Sequence, residues 1–260
     1  MKKTLAFVSI TLALVACSDK KAELKSEIDA LGAAEYQDGE TKRELCEKQI
    51  DYINAFPKDS VTEYYMENVA LYLNRVDSFA TSQTYTERYI ETYPSAQNMV
   101  EMKLLRARNY VGMQKVDSAY YVYDDVVSET ILSNDDLRKL KAVLLELSED
   151  ENRDDQDVML FKLGGVTEEI LGFADAAQVY ADLYTRFPES KYAAFGMMKH
   201  GDMMERQQQI DSAKAVYTAL IERYPESKHA ADAKVMMETD VIGLSAEEQL
   251  QKILEAKANQ

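Results

Sequence analysis

Two clusters in this 260-residue chain hold the residue types that metal chemistry uses. The first is Met197-Met198-Lys199-His200-Gly201-Asp202-Met203-Met204, where soft sulfur beside an imidazole would suit copper. Thirty-seven residues earlier, however, the positions of Met197, His200 and Met204 hold Leu160, Leu163 and Thr167, and both leucines stand at ordinary core positions. The pattern therefore predicts packing, with methionine as adaptable filler. The second cluster, Glu149-Asp150-Glu151-Asn152-Arg153-Asp154-Asp155-Gln156-Asp157, is acidic enough to invite calcium. A calcium loop alternates its ligands, turns on a glycine and closes on a glutamate. The run has no glycine, and it predicts a solvated linker. For catalysis the signals are fewer. His200 falls mid-helix and His229 at a predicted helix start, and neither suggests a triad. There is no Gly-x-Ser-x-Gly elbow, no phosphate-binding glycine loop and no His-Glu-x-x-His. The expectation is a protein without catalysis, metal or cofactor.

A different chemistry is available at Cys17. Met1-Lys2-Lys3 is a short basic region and Thr4 to Ala16 an uncharged apolar run, too short to span a bilayer and shaped like a signal peptide over 1–16. The run ends Leu14-Val15-Ala16-Cys17 and is followed by Ser18-Asp19-Lys20, which resembles a bacterial lipobox. The resemblance implies cleavage before Cys17, lipidation of its sulfur and acylation (palmitate-type chains) of its new amino terminus. An ordinary signal peptide with an incidental cysteine is the alternative. Three acyl chains exceed the two signals that stable anchoring needs, so the chain is expected to sit on a membrane without crossing it. Ser18 would suit sorting to the outer membrane, facing the periplasm. Cys46 is then left without an internal partner and is expected to be a buried, small apolar residue.

Composition narrows what elements can carry such residues. Only 9 glycines and 4 prolines occur, which argues against a turn-rich β-sandwich and for a mostly helical chain. Hydrophobic residues make up 46%, enough for a sizeable core. A formal net charge of −16 disfavours nucleic acid and anionic headgroups as electrostatic partners.

The prolines expose a repeat. Each follows an aromatic: Phe56-Pro57, Tyr93-Pro94, Phe187-Pro188 and Tyr224-Pro225, with 37 residues from 57 to 94 and again from 188 to 225. Small residues lie 24 positions before each proline (Ala33, Ala70, Gly164, Gly201), and Ala176 and Ala213 lie 12 before. Tyr180 and Tyr217 lie eight before, while a further unit with Ala107, Ala119 and Tyr123 carries Ile131 in the proline slot. This pattern resembles the tetratricopeptide repeat, which pairs two helices per unit. The expected fold is all-α, an α-solenoid of helix hairpins. Ser60-Val61-Thr62-Glu63 and Ser245-Ala246-Glu247-Glu248 read as capping boxes, and Ser190 and Ser227 as further caps. The expected organisation is a signal peptide (1–16), a lipidated N-terminus with a divergent hairpin (17–60), repeats over 61–133, an extra helix and acidic linker (134–156), two well-matched repeats (157–228) and C-terminal capping helices (229–260).

The resemblance implies a concave groove that holds other envelope proteins or peptides. Its wall would include Tyr64, Glu67 and Leu71, then Leu104 and Arg108, then Phe161, Gly165 and Glu168, then Phe195, Met198 and Asp202. The family's two-carboxylate clamp needs a lysine followed four later by asparagine, and Glu67 with Leu71, or Leu104 with Arg108, stand there instead. The groove reads as apolar and acidic, suited to an apolar or basic segment. The functional expectation is a membrane-anchored scaffold, similar to tetratricopeptide lipoproteins of outer-membrane β-barrel assembly and to periplasmic repeat proteins that coordinate cell division. A surface glycan-binding lipoprotein is the alternative, against which the absence of tryptophan counts.

Overall fold

A computed structural model describes residues 19–34, 38–239 and 241–258. Cys17, Ser18 and the 1–16 segment lie outside the described residues. Among those described, every regular element is an α-helix: α1 (19–32), α2 (Gly39–Ala55), α3 (Thr62–Arg75), α4 (Phe79–Thr92), α5 (Met99–Gly112), α6 (Val116–Val126), α7 (Asn134–Glu149), α8 (Gln156–Glu169), α9 (Phe173–Arg186), α10 (Ala193–Arg206), α11 (Ile210–Arg223), α12 (Lys228–Glu238) and α13 (Ala246–Ala258). No described helix is long and apolar enough to cross a membrane.

The aromatic–proline pairs stop the second helix of four hairpins, and α6 ends without one. Phe56, Tyr93, Phe187 and Tyr224 are the C-cap residues of α2, α4, α9 and α11, with ψ between 53° and 63°. The proline ring excludes helical backbone from the residue before it, so the helix ends there. The turns inside the α3–α4, α5–α6, α8–α9 and α10–α11 hairpins have a different device, one with no composition signal. Asp77, Gln114, Leu171 and Gln208 all take positive φ, between 57° and 60°. The amide after each closes a six-residue ring at 2.8–3.1 Å: Ser78 onto Leu73, Lys115 onto Tyr110, Gly172 onto Thr167 and Gln209 onto Met204. This is the Schellman ending, here without glycine at its left-handed position.

Small residues sit where helices cross. A Cβ on Gly164 would lie 2.4 Å from the Tyr180 ring, and one on Gly201 2.2 Å from the Tyr217 ring. Ala70, Ala107, Ala119, Ala176 and Ala213 are fully buried, and Ser82 donates its hydroxyl to the Ala70 carbonyl at 2.8 Å. Ala33 breaks the pattern: it is exposed beyond the end of α1 and marks no crossing.

Two units divide the chain after Thr130. In the first, α2 to α6 pack in succession, and α1 joins through Leu24 and Ile28, which enter a core with Cys46, Tyr52, Ile53, Tyr65 and Val69. Ion pairs between Lys21 and Asp59 and between Lys48 and Glu27 hold the same helix in place. The second unit opens with α7, packed on α8, and continues in succession to α12. The 134–148 helix is thus the first layer of that unit.

The caps divide into made and unmade. Ser227 accepts from the Ala230 amide at 3.0 Å, and Ser245 and Glu248 form the reciprocal box. Ser60 does not cap α3: Val61 occupies the N-cap position, Asp59 accepts from the Val61 amide at 3.2 Å, and Thr62 donates to the Phe56 carbonyl at 2.7 Å. Glu63 is drawn instead to the Tyr89 hydroxyl. Ser190 likewise caps no helix; its hydroxyl donates to Asp157 at 2.6 Å and ties two successive repeats together. Ser133 caps α7 by accepting from the Asp136 amide at 3.2 Å, and its hydroxyl donates to the Asp136 carboxylate at 2.7 Å.

Candidate protein-binding groove in the second unit

Successive first helices of the hairpins, α8 and α10, face one another across a cavity of about 520 Å³. Aromatic rings gather at one end. Phe161 stacks on Tyr192 at 4.3 Å and meets Phe195 edge-on at 5.2 Å, and Phe195 meets His229 at 5.4 Å. At the other end lie Leu171, Phe173, Lys199 and Arg206. Helix geometry explains how the two cations reach it: Phe195, Lys199, Asp202 and Arg206 follow at four, three and four along α10 and so share one stripe.

Glu168 is the electrostatic centre of the groove. It accepts from Lys199 at 2.8 Å and from the buried Tyr180 hydroxyl at 3.3 Å, while Arg206 stands at 3.9 Å. Burial, and next the Glu168 charge, push the Tyr180 phenol above its ordinary range. Arg206 rests its guanidinium over the Phe173 ring, 5.2 Å from the centroid. Leu171 closes this end, 74% exposed as a residue and with its backbone left-handed. A leucine in that conformation carries about 1 kcal/mol of strain relative to glycine.

Arg206 also lines a neighbouring cavity of about 340 Å³ with Asp202, Glu205, Met236 and Gly243. The Tyr217 hydroxyl lies 2.6 Å from Glu205 and 3.0 Å from Asp202, and the Gly243 amide donates to Glu205 at 2.9 Å. One phenol carries one proton and serves one carboxylate at a time. Burial holds the Asp202 carboxyl above the usual range, against the opposing pull of Tyr217 and Lys199. Tyr180–Glu168 and Tyr217–Glu205 are the same bond repeated 37 residues on.

Residues 196–227 match the tetratricopeptide repeat. That tetratricopeptide segment contains most of α10, all of α11 and the closing Tyr224-Pro225. Among solved structures, the chain is similar to the TPR2AB domain–pHSP90 complex of yeast Sti1, at 17% identity over 92% of this chain and 90% of that one, with a TM-score of 0.35. It is similar to YrrB, a TPR protein with an unusual peptide-binding site, at 16% identity over 73% and 98%, with a TM-score of 0.35. A tetratricopeptide repeat protein from Parabacteroides merdae is 14% identical over 89% and 79%, with a TM-score of 0.34. Comparison with curated proteins finds no sequence match.

Of the residues expected to line the groove, Phe161, Gly165, Glu168 and Phe195 share the larger cavity and Asp202 lines the smaller one. Met198 packs into the core with Met197, Ala213, Tyr217 and Ala230. In the first unit the expected set does not converge. Tyr64 and Leu71 line a separate cleft with Lys25, Leu45 and Arg75. Glu67 accepts from the Asn98 side chain at 2.8 Å, and Arg108 pairs with Glu101 at 2.7 Å. Leu104 is only 6% exposed, so it belongs to the core and not to a groove wall. The expected acidic character also changes. Lys162, Lys199 and Arg206 line the larger cavity beside Glu168 and Glu169. The 195–199–202–206 stripe was the signal that would have found two of those cations.

The metal-like clusters are used for packing and turns. Met197 is buried, Met204 packs against two core clusters of the unit, and His200 Nδ1 bonds the Tyr184 hydroxyl at 2.8 Å. Burial lowers the His200 pKa below the ordinary imidazole range. In the acidic run, Asp150 accepts from Asn152 and Asp155 pairs with Arg153 at 2.8 Å. Cys46 is buried, and desolvation pushes its thiol up to about 11.

Proposed function

We propose that this chain is a non-enzymatic, membrane-anchored scaffold of the bacterial cell envelope that holds other envelope proteins or peptides in the groove of its second unit. The observation that carries the reading is the groove itself: an aromatic end of Phe161, Tyr192 and Phe195, and a charged end of Glu168, Lys199 and Arg206, between two repeats. Concave sites that pair apolar area with a few placed polar groups suit ligand binding. In the groove Glu168 is engaged with Lys199 and Tyr180, and beside it Tyr217 is engaged with Glu205.

The anchor in this reading is Cys17, supported by the apolar run and the small residues before it. The outer membrane is its site, on the strength of Ser18, and the pathways it would serve are outer-membrane protein assembly or coordination of envelope and cell wall. A photo-crosslinking residue at Gly165, in the groove, and another at Tyr121, exposed on α6 of the first unit, test the reading in the native host. Crosslinks to a defined envelope protein from position 165 and not from 121 are expected, and Cys17→Ser is expected to release the chain from the membrane fraction. No groove-specific crosslink, or membrane retention of Cys17→Ser, would overturn it. Binding to a glycan array above background would favour the sugar-binding alternative.

A further inference from the structure

We propose that the groove of the second unit takes a short peptide segment in which an apolar or aromatic side chain is followed closely by a carboxylate. This rests on the scaffold reading and adds the chemistry of what is held. The first support is Leu171. In the other three hairpins the left-handed position is polar, with Asp77, Gln114 and Gln208. Here it is a leucine that is both strained and 74% exposed, on the rim of the one cavity that Phe161, Phe173 and Phe195 also line. An apolar residue kept in an unfavourable backbone conformation and in water gains little for the fold, and such outliers cluster at ligand clamps.

The second support is Arg206. Lys199 already meets the Glu168 charge at 2.8 Å, while Arg206 stands 3.9 Å away with its side chain 53% exposed. Its guanidinium lies over the Phe173 ring, 5.2 Å from the centroid, and a guanidinium fork suits bidentate recognition of a carboxylate. The third support is charge. In a chain of net −16, this cavity is lined by three cations and two carboxylates. The overall field repels a broadly acidic partner, whereas one carboxylate on a short segment meets the half-exposed Arg206 directly. A volume of about 520 Å³ accommodates one large side chain and its neighbours.

Fluorescence polarisation on the full chain in detergent tests this with capped ten-residue Gly/Ser peptides. The probe carries a central Phe with Glu two residues on; one control replaces Glu by Lys, the other Phe by Ser. The Phe–Glu peptide should bind about tenfold tighter than either control, a difference in the range of one good anchor contact. Leu171→Asn should weaken it about fivefold while the melting temperature stays level or rises, since asparagine tolerates the left-handed conformation. Arg206→Gln should abolish the preference for Glu over Lys. Equal or tighter binding of the Lys peptide, no binding of the Phe–Glu peptide, or indifference to both substitutions would overturn the proposal. If the position-165 crosslink persists in Leu171→Asn and Arg206→Gln, the scaffold reading survives and this ligand chemistry falls. If that crosslink is missing in the unsubstituted groove, the scaffold reading itself falls.

Discussion

Gly164 and Gly165 are neighbours on α8, and replacing each by alanine should move stability in opposite directions. A methyl on Gly164 would lie 2.4, 2.7 and 2.8 Å from three atoms of the Tyr180 ring. That ring is 1% exposed and its hydroxyl is held by Glu168, so it has nowhere to swing without losing the bond. Overpacking of this kind costs about 1–3 kcal/mol, and three contacts below 3 Å place it at the upper end, ~3 kcal/mol. Alanine returns about 1 kcal/mol of helix propensity, leaving a net loss of ~2 kcal/mol. At Gly165 the same methyl meets nothing within 4 Å, so the propensity gain stands alone, ~0.5–1 kcal/mol. Urea unfolding followed by circular dichroism at 222 nm reads the difference. With a slope of about 2 kcal/mol/M, the midpoint should fall by ~1 M for Gly164→Ala and rise by ~0.3–0.5 M for Gly165→Ala. A midpoint for Gly164→Ala at or above the parent's would refute the claim that Tyr180 fixes the helix crossing. A fall for Gly165→Ala would refute the claim that its glycine faces open space.

Asp202 supplies a pH test. Burial raises its folded-state pKa above the unfolded value, so its stabilising contribution is complete below about pH 4 and is lost as pH rises through the raised value. Asp202→Asn, which keeps the neutral form, should melt higher than the parent at pH 7 and no higher at pH 3; equal shifts at both would contradict the assignment. Among the caps, Ser227→Ala and Ser133→Ala should each cost about 1 kcal/mol in chemical unfolding, because each removes an amide's acceptor. Ser60→Ala should stay within about 0.5 kcal/mol, since Asp59 serves that turn. Cys46, buried with a thiol near 11, should resist a disulfide reagent at pH 8 and react at once when urea is added. Rapid reaction in the folded chain would show the site to be open.

The sequence by itself determined the helix hairpins and where they stop. Proline after an aromatic ends a helix whatever surrounds it, because the constraint lies between adjacent residues, and α2, α4, α9 and α11 all end there. The 37-residue spacing likewise singled out Gly164 and Gly201 before any neighbour was known, and the structure puts both where helices cross, since a helix interior tolerates glycine at a cost that close packing repays. Tertiary structure decided the rest. Adjacent residues on a helix point about 100° apart, so a small rotation of a hairpin exchanges groove for core. Packing buries Leu104 in the first unit, and in the second it turns the half-buried Met198 against the core and brings Lys199 and Arg206 to the groove. The Schellman turns stayed illegible because their left-handed residues are Asp77, Gln114, Leu171 and Gln208 rather than glycine, held by hydrogen bonds across the turn and not by their own preference. Ser190 and Ser227 follow near-identical residues, yet one ties two repeats together and the other caps a helix. An Asp157 carboxylate within 2.6 Å, supplied by α8 from far along the chain, makes that difference.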